Sequence, residues 1–216
     1  MNITEIVLLS NNLTETLEFY SDLMGFEIIA SNNSRITFKT GSSKLTFLRT
    51  NHQNCVYHFA FDIPHNKLSE AVQWLSIRTS LIKLHGENVI DFPNWNAKSV
   101  YFYDNNGNVL EFIARFENQN QSDDIFESSS IVSISEIAFV TDQVEMVADD
   151  FIKTYNLPYY ERQLQRKDFS VVGDDNGLLI IVSSTRKWFP TDIRVAKFPT
   201  KVTIENADKS FEIIYE

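Results

Sequence analysis

Glu111 is the residue whose setting most clearly invites chemistry. It lies in Val109-Leu110-Glu111-Phe112-Ile113, where alternation along a strand puts its carboxylate on the face shared by Val109 and Ile113. A lone carboxylate in apolar company is costly, and is normally paired, hydrogen-bonded, bound to a metal ion or protonated. The same spacing also fits an edge strand whose Glu111 faces water. Glu5 is a second carboxylate among apolar neighbours, within Ile3-Thr4-Glu5-Ile6-Val7-Leu8-Leu9.

Strands and turns must hold these side chains. Lys98 to Arg115 reads as a hairpin closed by Asp104-Asn105-Asn106-Gly107, with Gly107 free to take a positive φ. The chain opens with a strand over Ile3 to Leu9. Asn12 with Glu15 forms a capping-box pattern, Leu13, Leu17, Tyr20 and Met24 follow at helical spacing, and Gly25 ends the helix. Strands over Phe26 to Ala30, Arg35 to Lys39 and Lys44 to Arg49 complete a βαβββ unit. A second unit starts at Val56, with the strand YHFAFDI, a helix marked by Leu68, Val72 and Leu75, and the hairpin as its last two strands. Residues 79–97 form a long connection in which Phe92, Pro93 and Trp95 are placed to cover a cavity.

The polar run at 117–130 reads as a linker, after which the opening pattern returns: Ser135 to Thr141 repeats Thr4 to Ser10 without a shift of register. Asp142 and Glu145 repeat the cap, and Val144, Val147, Ala148 and Phe151 repeat the helix. Strands near 158–162, 168–173 and 178–184 complete a third unit. Residues 194–216 have room for two more strands, around Lys201 to Glu205 and Phe211 to Tyr215. The expected division is a complete two-unit domain over 1–116, a linker over 117–130, and a degenerate, truncated second copy over 131–216.

Nineteen Lys and Arg against 29 Asp and Glu give a net charge of −10, which repels phosphate backbones and anionic lipid surfaces. Nucleic acid and membrane are therefore not expected partners. Seventeen Phe, 8 Tyr and 3 Trp suffice to line a cavity as well as a core. The single cysteine, Cys55, read as core within a strand, excludes an internal disulfide and any zinc site built from several thiolates, and fits a reducing cytoplasm. No apolar run approaches the roughly 20 residues that span a bilayer, and the N-terminus has no secretory pattern. Phosphate-cradling GxGxxG and P-loop patterns, HExxH, CxxC and GxSxG are all missing.

Repeated βαβββ units carrying FYSDLMGFEI in the first and YFYDNNGNVLEF in the second resemble the vicinal oxygen chelate superfamily of glyoxalases, extradiol dioxygenases, and fosfomycin- and bleomycin-resistance proteins. The resemblance covers residues 1–115 and, more faintly, 131–186. It implies an α+β fold in which the units form cupped, partly closed mixed sheets, with metal ligands on the first and last strands of each unit. Carried over by position, these are Glu5 and Thr46 in the first unit, and His58 and Glu111 in the second. The implied site is a divalent iron, manganese or zinc ion held by Glu5, His58 and Glu111. The implied substrate is a small dicarbonyl, enolate or catechol-like compound with two vicinal oxygens. Glu111 is the implied general base, and Thr46, Phe92, Trp95, Tyr101 and Tyr103 are the implied substrate contacts.

Two departures restrict the activity. Thr46 stands where glyoxalase I has a fourth carboxylate, and Glu5 stands where ring-cleaving dioxygenases have their first histidine. Glu136 repeats Glu5, but Ile180 or Ile181 falls where Glu111 would be. The second half is therefore expected to lack a metal site and to wall the cavity, pack on the first half or form a homodimer contact. The other implied function is a binding protein of the bleomycin-resistance kind, without a cofactor, that sequesters a small molecule between Phe92, Trp95 and Tyr101.

Overall fold

The computed structural model describes residues 1–52 and 55–216. The first unit comprises β1 (Asn2–Ser10), α1 (Leu13–Leu17), which runs on as a π-helical turn over Glu18–Leu23, β2 (Ile28–Ser31), β3 (Arg35–Thr40) and β4 (Ser43–Arg49). The Asn12 side chain caps α1 by accepting from the Glu15 N–H at 3.2 Å. The second unit comprises β5 (His58–Ile63), α2 (Leu68–Ser76), β6 (Leu81–Ile82), β7 (Val89–Phe92), β8 (Ala97–Tyr103) and β9 (Val109–Arg115). Gly107 closes the β8–β9 hairpin with a φ of 77°. The third unit comprises β10 (Ser133–Thr141), α3 (Val144–Tyr155), β11 (Phe169–Asp174) and β12 (Gly177–Ser183), and the chain finishes with β13 (Thr200–Asn206) and β14 (Lys209–Tyr215).

Four local readings change. The strand expected near 158–162 is reduced to a single bridge, Tyr159 opposite Val172. Residues 79–97 are not an open loop, because β7 alternates well enough to pair antiparallel with β8, Val89 opposite Val100 and Phe92 opposite Ala97. The third unit does not reproduce the cap: α3 starts after Gln143 with no side-chain cap, and Asp142 accepts from the Ser184 hydroxyl instead. Cys55 is buried just before β5 rather than within a strand, and burial pushes its thiol pKa up.

One pairing rule repeats along the chain. The first strand of each unit lies parallel to its last: β1 to β4, β5 to β9 and β10 to β12. First strands then pair antiparallel across units, β5 with β10 and β1 with β13. One lobe therefore runs β2-β3-β4-β1-β13-β14 and the other β8-β9-β5-β10-β12-β11. The lobes meet at Ile3 opposite Ile134 in a mixed sheet that does not close. Phe38, Phe47, Phe59, Phe61, Phe102, Phe112 and Phe139 are fully buried against it. No helix among the described residues is long and apolar enough to cross a membrane.

Strand pairing thus crosses the expected 117–130 boundary. That segment is tied down: Phe126 is buried, its N–H donates to the Glu70 carboxylate at 2.9 Å, and Asn120 donates to Asp62 at 2.9 Å. A fragment ending at residue 116 would leave β5 without β10 and β1 without β13, exposing the edges of both. It is expected not to give a folded monomer. A monomeric 1–116 fragment with dispersed amide resonances and a cooperative melt would contradict this.

Candidate metal centre

Strands β10, β5 and β9 are consecutive in the sheet, and Ala60 at the middle of β5 has Glu136 of β10 on one side and Glu111 of β9 on the other. His58, two residues before Ala60, shares its face. The alanine between the carboxylates is small and buried, packed with Ala97, Ile113 and Trp95. One ligand atom from each of His58, Glu111 and Glu136 lies within 4.8 Å of the others. His58 Nε2 is 3.6 Å from Glu111 Oε2.

The imidazole is oriented from behind. Its Nδ1 lies 2.8 Å from the Val109 carbonyl oxygen, which can only accept, so Nδ1 carries the proton and the Nε2 lone pair points towards the carboxylates. Burial pushes the His58 pKa down, against the Glu136 charge and the Val109 carbonyl, so the ring is neutral. Glu111 is pushed up to about 8, first by burial and then by the charge of Glu136, while the Ser99 and Tyr101 hydroxyls and Arg115 pull the other way. Burial, then the charges of Glu111 and Glu136, holds the Tyr101 phenol well above its usual range.

Arg115 is the residue that the sequence reading missed. Its guanidinium is fully buried, pairs with Glu136 Oε1, donates to the Ser135 hydroxyl from Nη2 and Nε at 3.2 and 3.3 Å, and lies 5.6 Å from the Trp95 ring. The signal was present, because Arg115 follows Glu111 and Ile113 on one face of β9.

Phe92, Trp95 and Tyr101 line a cavity of about 240 Å³ together with His58, Glu111 and Glu136. Tyr103 is half-buried on β8 and is not among the lining residues. Glu5 and Thr46 lie in the other lobe, where Glu5 Oε1 accepts from the Thr46 hydroxyl at 2.6 Å and from Arg35 Nη2 at 2.8 Å. The expected convergence of Glu5 with His58 and Glu111 is therefore not formed. The cause is strand order: β5 takes β10 rather than β1 as its neighbour, so the repeated glutamate of the third unit stands there. The half expected to lack ligands contributes Glu136, while Ile180 lines the cavity as an apolar group.

One neutral imidazole nitrogen and two carboxylates converging on a cavity form a donor set that suits a divalent ion of intermediate hardness and leaves coordination positions for a ligand. Arg115 balances Glu136, and Glu111 must lose its proton before it can serve as an anionic ligand.

Two solved structures resemble the whole arrangement. One, described as a candidate dioxygenase from Bacillus subtilis subsp. subtilis str. 168, superposes with a TM-score of 0.61 at 15% identity, over 99% of this chain and 84% of its own. A glutamate-to-glutamine mutant of glyoxalase I from Zea mays superposes with a TM-score of 0.54 at 12% identity, over 84% of this chain and 68% of its own. No family model and no curated protein matches the sequence. The chain thus shares its fold, a mixed, unclosed sheet with few helices, with a dioxygenase-like and a glyoxalase I structure.

Arg115→Met leaves Glu136 buried without its partner and is expected to cost about 3–5 kcal/mol in urea unfolding. The double variant Arg115→Met/Glu136→Gln should recover much of that loss, and additive losses would show that the pair is not coupled. Glu111 binds its proton more tightly folded than unfolded, so its contribution to the stability of the metal-free protein is complete below its ordinary value of 4.5 and is lost as pH rises through about 8. Glu111→Gln is expected to flatten the fall in melting temperature across that window. An unchanged slope would place the titration elsewhere.

Proposed function

We propose that this chain is a divalent-metal-dependent enzyme acting on a small molecule with two vicinal oxygens, and that His58, Glu111 and Glu136 hold the ion. The observation that carries this reading is the convergence of their ligand atoms within 4.8 Å at the wall of the cavity. Nitrogen and oxygen donors with no thiolate favour manganese, iron or zinc. When bound, such an ion polarises a carbonyl or enolate oxygen.

The chain's own groups supply the rest. Val109 and His58 fix the direction of the ligating nitrogen, and Arg115 holds the Glu136 carboxylate. Glu111, the second anionic ligand, is also the group best suited to take a proton from a bound substrate and return it, since its affinity for protons is tuned close to neutral pH. Phe92, Trp95 and Tyr101 give the cavity beside it an apolar wall.

A second reading, sequestration of a small molecule without turnover, is favoured by the charge balance: the Arg115–Glu136 pair and a protonated Glu111 need no cation. The two readings separate on metal content. After incubation with Mn(II), Fe(II) or Zn(II) and desalting, the protein is expected to retain close to one equivalent per chain by elemental analysis. His58→Ala, Glu111→Ala and Glu136→Gln should each lose it, and Glu5→Gln should keep it. Wild-type protein that retains no metal would leave the sequestration reading.

A further inference from the structure

Above its acidic floor the cavity has a mouth of opposite charge. In a chain of net charge −10, Arg166, Arg186 and Lys187 all border it, and all three come from the third unit and the segment after β12. Two of the three are already neutralised: Arg186 pairs with Asp168 at 2.7 Å, and Lys187 pairs with Asp192. Arg166 is exposed and forms no ion pair within 4.0 Å among the described residues.

The walls between floor and mouth are aromatic. Trp188, 3% exposed, has its ring 5.9 Å from His58, and Phe189 packs edge-on to Tyr101 at 5.9 Å and to Phe92 at 6.0 Å. The Trp188 indole Nε1–H is buried and has no hydrogen-bond partner in the protein. An indole N–H can only donate, and a buried donor left unpaired costs about 1–3 kcal/mol, so a lining residue in this state favours a ligand that brings an acceptor oxygen.

We propose that the cavity selects a planar aromatic carboxylate, its ring packed against the wall that Phe92, Trp188 and Phe189 form, its anionic group read by Arg166 and an oxygen of it accepting from the Trp188 N–H. The cavity of about 240 Å³ has room for one or two fused rings. The planar guanidinium fork matches a carboxylate in a bidentate manner, which makes Arg166 a discriminating contact as well as an attractive one. The floor offers an anion no free cation, since the Arg115 guanidinium is already paired with Glu136, whereas Arg166 has no ion-pair partner among the described residues, and this orients the carboxylate towards the mouth. The inference rests on the cavity being the ligand site and holds for either reading of its function.

The test compares naphthoate with naphthamide, a neutral compound of nearly the same shape, by quenching of tryptophan fluorescence on the full chain. Trp95 and Trp188 line the cavity and report occupancy. Naphthoate is expected to bind at least about tenfold more tightly, and this preference should shrink as salt is raised. Arg166→Gln, a change at an exposed side chain that the fold tolerates, should abolish the preference while leaving naphthamide unchanged. Trp188→Phe, which keeps a ring but removes the donor, should weaken both compounds. Equal affinities in the wild type, or a preference that survives Arg166→Gln, would overturn the proposal. Metal content measured on the same samples keeps the two questions apart: a chain that retains metal but shows no anion preference refutes this inference alone, and the reverse result refutes only the metal reading.

Discussion

Arg115 and Glu136 meet between strands of the second lobe with almost no contact with water, and the electrostatics of the site follow from that pair. Either charge alone would be expensive in so apolar a place, and the pair is tolerable because the guanidinium also donates to Ser135. With the pair in place, the remaining groups have little freedom. A second carboxylate beside Glu136 is driven to hold its proton, and an imidazole on the adjacent strand is kept neutral by burial. His58 and Glu111 are thus poised to change state when a cation or a polar ligand arrives.

The first lobe solves the same problem differently. Glu5 occupies in β1 the position that Glu136 occupies in β10, yet its partner is Arg35, which comes from β3 and is half-exposed. Hydrogen bonds from Thr46 and Arg35 engage Glu5 Oε1, and Thr37 closes the network at 3.0 Å from Thr46. Glu5 belongs to no group of three or more His, Cys, Asp and Glu residues within ligand distance among the described residues. A repeated glutamate therefore becomes an ordinary ion pair in one lobe and part of a buried cluster of titratable groups in the other. The difference lies in which strands flank it.

This also explains what was legible in the sequence. Element types and most boundaries could be read because they depend on local pattern: the alternation around Glu111, the turn at Gly107, the cap at Asn12 and the return of the opening strand at Ser135. The pairing of units could not, because β1 and β10 carry nearly the same residues and either could flank β5 by local criteria. That choice is made by contacts far apart in the chain, including the turn at Gly41, whose Cα approaches the Val132 backbone so closely that no side chain would fit. Glu136 was identified as a repeat of Glu5 but assigned no site, since its neighbours His58 and Glu111 belong to a unit it does not resemble. Arg115 was overlooked although the alternation that singled out Glu111 includes it.

The groups around the cavity are divided between repeats. His58, Glu111 and Arg115 belong to the second unit, on strands whose other face packs Phe59, Phe61 and Phe112 into the core, so they cannot move without disturbing the sheet. Arg166, Phe169, Trp188 and Phe189 belong to the third unit and the segment after it; Arg166 and Phe189 are exposed, where substitutions are tolerated, whereas Trp188 and Phe169 pack into a second core cluster. Changes at the exposed positions leave the buried charges where the strands put them. Glu136 is the exception that joins the two: it lies on a third-unit strand but is gripped by a second-unit arginine, so the pairing of β5 with β10 brings the buried charges and the aromatic walls of the cavity together.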